Sequence, residues 1–295
     1  MILALITMIA GTAISIIGWF VCKERHIVEP DEDEKVKIAD FFELFKTNKA
    51  MVVHFCKCIF SGFIWTFLFA TPTYYVKWGL CADLTTGEVD MTTFATYSMI
   101  ISLMMLFPLL IGSLTARPMM KKLGGNPAKL TKLNLAMQGI GGAMLFLAHI
   151  LGFMSPLVFF ICLFVMAYAI GNDFVPQSTV EMEIMDYTIY KTGKDRSALS
   201  GVVNRFLEKA QTAVSSAIIG VVLIAIGYEV DSVSGDFVGN LANMPTMLTW
   251  FIVIMGLIPA IFAVIGIIIY TKYPIDDEER ANIRRYMDEL NVGQK

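Results

Sequence analysis

Residues 246–271 read TMLTWFIVIMGLIPAIFAVIGIIIYT, a run of 26 residues without a charge. A helix rises 1.5 Å per residue, so about 20 apolar residues cross the roughly 30 Å of hydrocarbon in a bilayer. Working outward from this run, six more stretches of the same kind appear at 1–22, 50–76, 94–116, 131–153, 156–178 and 200–228. Composition agrees: 56% hydrophobic residues, 17% charged residues and a mean hydropathy of +0.64 leave too little polar surface to clothe a soluble globule. The sequence therefore predicts an all-α integral membrane protein with seven transmembrane helices.

Lysine and arginine set the orientation, because short cytoplasmic loops retain positive charge. Segment 23–49 holds six of them, 117–132 five, 179–199 three and the stretch from Lys272 five, whereas the alternate connections hold only Lys77. This asymmetry predicts an outside N-terminus and a cytoplasmic C-terminus in a multi-pass protein of the plasma membrane. The remaining basic residues, Lys57, Arg205 and Lys209, fall inside spans.

A net charge of -3 and a pI near 5.7 leave no basic face for nucleic acid once the juxtamembrane residues are assigned to the membrane surface. Cys56, Cys58 and Cys162 lie inside spans, Cys22 at a cytoplasmic end and Cys81 alone on the outside, so no disulfide framework is indicated. Cys56 and Cys58 near His54 read as small buried side chains rather than as a metal site. No basic residue precedes the first span, which argues against a signal peptide. The expected organisation is a first helix (1–22), a cytoplasmic linker (23–49) with an amphipathic helix over Ile38–Phe45, a six-helix bundle (50–271) that the first helix need not join, and a cytoplasmic tail (272–295).

Three motifs carry a family resemblance. The stretch 183–196, EIMDYTIYKTGKDR, runs into FLEK at 206–209 and Gly227-Tyr228; TARPMMKKLGG occupies 115–125; and YPIDDEER occupies 273–280. In this order and spacing they resemble the glycoside-pentoside-hexuronide:cation symporters of the major facilitator superfamily, the family of the melibiose permeases. Departures are small: Glu183 stands where Asp is usual, Ile189 where a polar residue is common, and Asp195 interrupts the basic cluster. The resemblance maps the chain onto helix six and helices seven to twelve, so that 50–271 corresponds to the C-terminal bundle and the first five helices have no counterpart. It implies half of a sugar transporter working by alternating access, coupled to H+, Na+ or Li+. Its implied partners are the lipid bilayer, a sugar or glycoside and the missing N-terminal helices. No cofactor, metal or enzymatic activity is expected.

Polar residues inside the spans are the candidates for a substrate and cation pathway. In 200–228, Asn204, Arg205, Glu208, Lys209, Gln211, Thr212 and Ser215 share one side of a helix, with Val203, Phe206, Leu207, Ala210, Val214 and Ile218 on the other. A Lys or Arg at a helix centre costs about 2.5–3.5 kcal/mol on insertion scales, so this stripe calls for a function. The bland alternative is an Arg205–Glu208 pair with both cations snorkelling to the surface. Lys209 also coincides with a lysine of the family's helix eleven. In 50–76, His54, Lys57, Ser61 and Trp65 form a donor-rich strip ending in an aromatic ring, a pattern suited to sugars; ordinary helix packing is the alternative. Thr71-Pro72 with Tyr74-Tyr75 reads as a kink and an interfacial aromatic belt. Asp173, in Gly171-Asn172-Asp173, needs a partner inside the membrane, and Lys209 or Arg205 is nearest in the topology. Glu183, Asp186, Tyr187, Lys191 and Arg196 read as residues of the 179–199 loop, either solvated or forming a cytoplasmic gate.

Two other readings remain open from sequence. Seven spans with an outside N-terminus suit a receptor or a retinal protein, although 246–271 lacks the lysine that retinal requires and no outer cysteine pair is present. A truncated or split fragment without transport of its own is the second.

Overall fold

The first four fully described spans each begin where a short polar side chain closes the helix end. The computed structural model describes residues 11–13, 15–16, 45–193, 197–231 and 237–293. Helix α1 (Lys49–Ala70) starts after Asn48, whose carbonyl oxygen Oδ1 accepts from the Met51 amide at 2.9 Å. Asp90 caps α2 (Met91–Lys122), Asn126 caps α3 (Pro127–Ile150) and Ser155 caps α4 (Pro156–Thr192). Pro127 and Pro156 stand at the first helical position, where no backbone donor is lost. Helix α5 (Ser197–Ala225) follows. The last span is built from α6 (Met244–Ile252), a π-type turn (Val253–Leu257) and α7 (Ile258–Tyr270); beyond it lies α8 (Asp277–Gly293).

Six helical stretches among the described residues are long and apolar enough to cross a bilayer: Lys49–Leu80, Met91–Lys122, Pro127–Ile150, Pro156–Thr192, Arg205–Ala225 and Leu241–Tyr270. They coincide with the last six expected spans. Of the expected first span only 11–13 and 15–16 are described, as helix, and the 23–49 linker with its amphipathic helix lies outside the described residues except for its end from Phe45. Residues 1–40 and 41–295 separate into two units.

Several expected loops are helix. The 117–132 connection shrinks to the turn after Lys122, and α4 runs on to Thr192, so Glu183, Asp186, Tyr187 and Lys191 sit on helix and not in a loop. Hydropathy falls where these helices leave the apolar layer, but nothing there breaks them until Gly193, whose φ of 69° gives the left-handed C-cap. The 272–295 tail is also mostly helical.

Helix α4 is the central post. It packs on α2 and α3; α7 packs on α3 and α1; and α5 packs chiefly on α1. Without a hydrophobic drive between helices in lipid, close backbone approach through small residues has to supply the contact. At the α2–α4 crossing, a Cβ on Gly171 would stand 2.2 Å from the Leu109 carbonyl oxygen, and one on Gly112 2.3 Å from that of Tyr168. The closeness lets the Asn172 amide donate to the Gly112 carbonyl at 3.0 Å and to Thr115 Oγ1 at 3.1 Å. Gly142 and Gly256 meet in the same way between α3 and the π-type turn.

At one end of the bundle, Tyr75 and Trp78 are buried rather than forming a lipid-facing belt. Each finds a polar partner inside: the Tyr75 hydroxyl lies 3.1 Å from His149 Nδ1, and Trp78 Nε1 donates to the Tyr228 hydroxyl at 3.2 Å. His149 continues the chain to Thr249 at 3.1 Å.

The backbone contact at Gly171 cannot be relieved by a rotamer change. Gly171→Ala should therefore lower the thermal unfolding midpoint of the detergent-solubilised protein, by an overpacking cost of about 1–3 kcal/mol. Gly220→Ala, where an added Cβ meets nothing within 4 Å, should leave the midpoint unchanged; equal effects of the two would contradict the close-packed crossing.

Candidate functional site

A cavity of about 520 Å³ opens between α1, α4 and α5, with Gln138 of α3 at its base. Helix α4 supplies Asp173, Gln177 and Glu181, spaced four residues apart so that all three lie on one face. Helix α1 supplies Cys58, Ser61 and Trp65, and α5 supplies Glu208, Lys209, Gln211 and Thr212. Trp65 stacks on Phe69 at 4.4 Å and lines the cavity together with Phe174, 5.8 Å away between ring centroids.

Behind the α1–α4 wall is a buried polar network. Lys57, with no exposed surface, donates to Asp173 Oδ2 at 2.8 Å. Asn134, equally buried, donates to Asp173 Oδ1 at 3.4 Å. His54 contacts the Tyr270 hydroxyl through Nδ1 at 2.8 Å, while its Nε2 lies 3.4 Å from Cys58 Sγ and 3.9 Å from Glu181 Oε1. The partner of Asp173 is thus Lys57 and not Lys209 or Arg205. The reason is geometric: α4 lies against α1, whereas α5 reaches the bundle through α1 and stands across the open cavity. Among the described residues no group of three or more His, Cys, Asp and Glu is arranged to hold a metal ion.

The remaining candidates separate by position. Lys209, Glu208 and Thr212 line the cavity with their side chains exposed. Arg205 points away from it, 83% exposed and 3.2 Å from Glu208. The side chain of Asn204 is outside the described ones. His54 and Lys57 face inward to Tyr270 and Asp173, so of the expected donor strip only Ser61 and Trp65 present themselves to the cavity. Phe206, Val214 and Ile218 are exposed on the opposite side of α5, as lipid-facing residues would be.

At the end of the bundle that gathers the basic residues, α8 folds back under α4. The Arg280 guanidinium, 7% exposed, donates to both Glu183 oxygens at 2.5 and 3.2 Å and to Asp277 at 2.9 Å. Asp277 in turn accepts from Asn126 at 2.8 Å and from Lys129 at 3.2 Å. Lys191 pairs with Glu279 at 2.8 Å and lies over the Tyr187 ring, which is buried with Ile184, Ile275 and Ile283. Asp186 is partnered as well, and Arg196 falls outside the described residues.

Sequence reading passed over the α3 stripe Thr131, Asn134 and Gln138, all buried. The signal was present in three polar residues at spacings of three and four inside an apolar span. Glu181, Tyr270 and Arg280 join them, the first because α4 continues beyond 178 and the last because the segment after Lys272 is a helix packed on α4.

Six helices long and apolar enough to cross a bilayer, four of which line a cavity with polar side chains, define a multi-pass membrane protein. Residues 1–277 match the family described as MFS/sugar transport protein, and the chain belongs to that family. It is also similar to the uncharacterized symporter YjmB of Bacillus subtilis (strain 168), at 24% identity over 270 residues, which are 89% of this chain and 51% of that protein. The chain spans about half the length of the curated relative it matches.

The α8 contacts carry a prediction. Removing Arg280 leaves Glu183 without its partner, a loss of about 3 kcal/mol for a pair this buried, so Arg280→Ala should expose the α8 segment to trypsin while the spans stay protected. Asp277 adds a pH dependence. Hydrogen bonds from Asn126, then from Lys129, hold its carboxyl below the usual carboxylate range. Its contribution is complete above the ordinary carboxylate pKa and is lost as pH falls through its own lower value, so acid should loosen α8, read with pepsin, which cleaves at low pH where trypsin does not. Unchanged digestion in Arg280→Ala would show that apolar packing alone holds α8.

Proposed function

We propose that the bundle is the C-terminal half of a cation-coupled symporter for a sugar, whether glycoside, pentoside or hexuronide, that works by alternating access in the plasma membrane. The observation that carries this reading is the cavity, where the aromatic side chain of Trp65 stands among donors and acceptors from Ser61, Gln138, Gln177, Lys209 and Gln211. An aromatic ring meets the C–H face of a pyranose, and amides, hydroxyls and an ammonium satisfy its hydroxyls. Membership of a sugar-transport family and likeness to a protein named as a symporter support the same direction.

Carriers of this kind enclose the site between two related bundles that rock against each other. The described spans make one bundle, and the match to YjmB covers half of that protein. The complementary half would then close the open side of the cavity. In this reading the basic end is cytoplasmic, since it gathers Lys121, Lys122, Lys129 and Lys191, and the N-terminus is outside. Glu183, Lys191 and their α8 partners form the inner gate layer, where salt bridges that break and reform set which mouth is open.

Vesicles containing this chain alone should accumulate labelled glycoside no better than protein-free vesicles, and accumulation should appear when the complementary helices are supplied. Within that complete transporter, Lys209→Leu should abolish cation-driven uptake at normal surface expression, and Lys209→Arg should restore it only in part, because a planar fork does not replace a compact charge. Wild-type uptake by Lys209→Leu would reduce Lys209 to a snorkelling lysine. Orientation is tested separately: a cysteine replacing Thr85 should react with an impermeant maleimide added to intact cells, and one replacing Gly124 should not.

A further inference from the structure

One group on the cavity wall has a chemistry that sugar recognition does not use. Cys58 is half-buried, lines the cavity beside Ser61 and Trp65, and lies one helical turn beyond His54. That spacing brings its Sγ to 3.4 Å from His54 Nε2. The ring is held from behind: His54 is buried, and its Nδ1 meets the hydroxyl of Tyr270, also buried, at 2.8 Å. With the ring proton on Nδ1, donating to the Tyr270 oxygen, Nε2 is left bare toward the sulfur. Nε2 also faces the Glu181 carboxylate at 3.9 Å, which balances the charge of the ring once it takes a second proton.

A thiol, a base within reach of its proton and a third group that orients the base are the parts that activate a sulfur nucleophile. The other described cysteines are placed differently. Cys81 and Cys162 are buried, and Cys56, half-buried like Cys58, is not part of the cavity wall. Access and activation therefore coincide at Cys58. The soft sulfur selects a soft electrophile, and the apolar contact offered by Trp65, Ile170 and Phe174 favours one without charge.

We propose that Cys58 is a covalent modification site for small uncharged electrophiles of the α,β-unsaturated carbonyl class, with His54 as the base and Tyr270 as the residue that positions it. The sulfur forms a bond to the β-carbon of the electrophile, the π pair of the C=C bond moves to the α-carbon, and the thiol proton passes to Nε2 and from there to the α-carbon. The addition needs no oxidant or reductant. An adduct at Cys58 stands beside Ser61, Trp65 and Gln211 and fills the space a sugar would take. That consequence rests on the symporter reading, but the modification site itself does not.

The test is a time course of alkylation by N-ethylmaleimide on the purified full chain in detergent, with each cysteine-containing peptide followed by mass spectrometry. Cys58 should react on the order of tenfold faster than Cys56, and its rate should depend less on pH. In His54→Gln the Cys58 rate should fall to that of Cys56 and rise about tenfold per pH unit, as for an unassisted thiol, while Cys56 keeps its wild-type rate. Tyr270→Phe keeps the aromatic ring and removes the orienting hydroxyl, so it should slow Cys58 and not Cys56. Equal rates for Cys58 and Cys56 in the wild type, or an unaltered pH profile of Cys58 in His54→Gln, overturns the site. Fast alkylation of Cys58 that leaves uptake by the completed transporter intact would remove this cavity as the sugar site and leave the modification site standing.

Discussion

An ammonium without exposed surface in an apolar helix persists only if a carboxylate is brought to it, and that requirement organises the middle of this bundle. Lys57 belongs to α1 and Asp173 to α4, helices that otherwise touch only lightly. Their pairing fixes the two walls of the cavity relative to each other. Around it converge Asn134 from α3 and Tyr270 from α7, so four helices answer to one charge. Breaking such a pair by removing one partner costs about 3–5 kcal/mol, whereas removing both costs far less. The pair is accordingly weak evidence for stability and better evidence for a role that needs a charge there.

The two ends of the bundle are closed by different physics. At one end Tyr75, Trp78, Phe159 and Phe251 are buried together, with each indole or phenol hydrogen-bonded inside. At the other the contacts are ionic and reach outside the spans, from Glu183 and Lys191 on α4 to Arg280 and Glu279 on α8. Aromatic packing is insensitive to salt, while ion pairs at a water boundary respond to salt and to pH. The ionic end is therefore where small changes in conditions have leverage on this bundle.

The spans were legible because hydrocarbon tolerates few alternatives: a run such as 246–271 has to be a helix, and the described residues contain all of the last six expected spans. Family motifs in 115–125, 183–196 and 273–280 were legible as short patterns of special residues. Pairing was not. Asp173 has three intramembrane cations to choose from in sequence, and the choice of Lys57 depends on α4 meeting α1, a contact no local pattern encodes. Helix ends were misread for a related reason. Hydropathy marks where a helix leaves lipid, not where it stops, and α4 continues past 178 as far as Gly193. That extension carries Glu181 onto the same face as Asp173 and turns an assumed loop into a post for α8.

The cavity walls also differ in how firmly they are held. Helices α1 and α4 are tied by the ion pair and by Asn48, whose amide donates to Ile184 and Thr188, and α4 is held from behind by α2 through the Gly112–Gly171 crossing. Helix α5 buries little of itself and joins the bundle mainly along α1, where Gln211 donates to the carbonyls of Cys58 and Ile59 at 2.5 and 2.8 Å. Gly62 makes that possible, since a Cβ there would fall 2.1 Å from Gln211 Oε1. A segment with few buried contacts opens at lower free energy than a packed one. Lys209, Glu208 and Thr212 therefore sit on the wall that moves most cheaply, and Asp173 on the wall that moves least. A site shared between them changes shape chiefly through α5, so a ligand bridging Lys209 and Asp173 gains by drawing α5 inward, and the free energy of that contact becomes available to close the cavity.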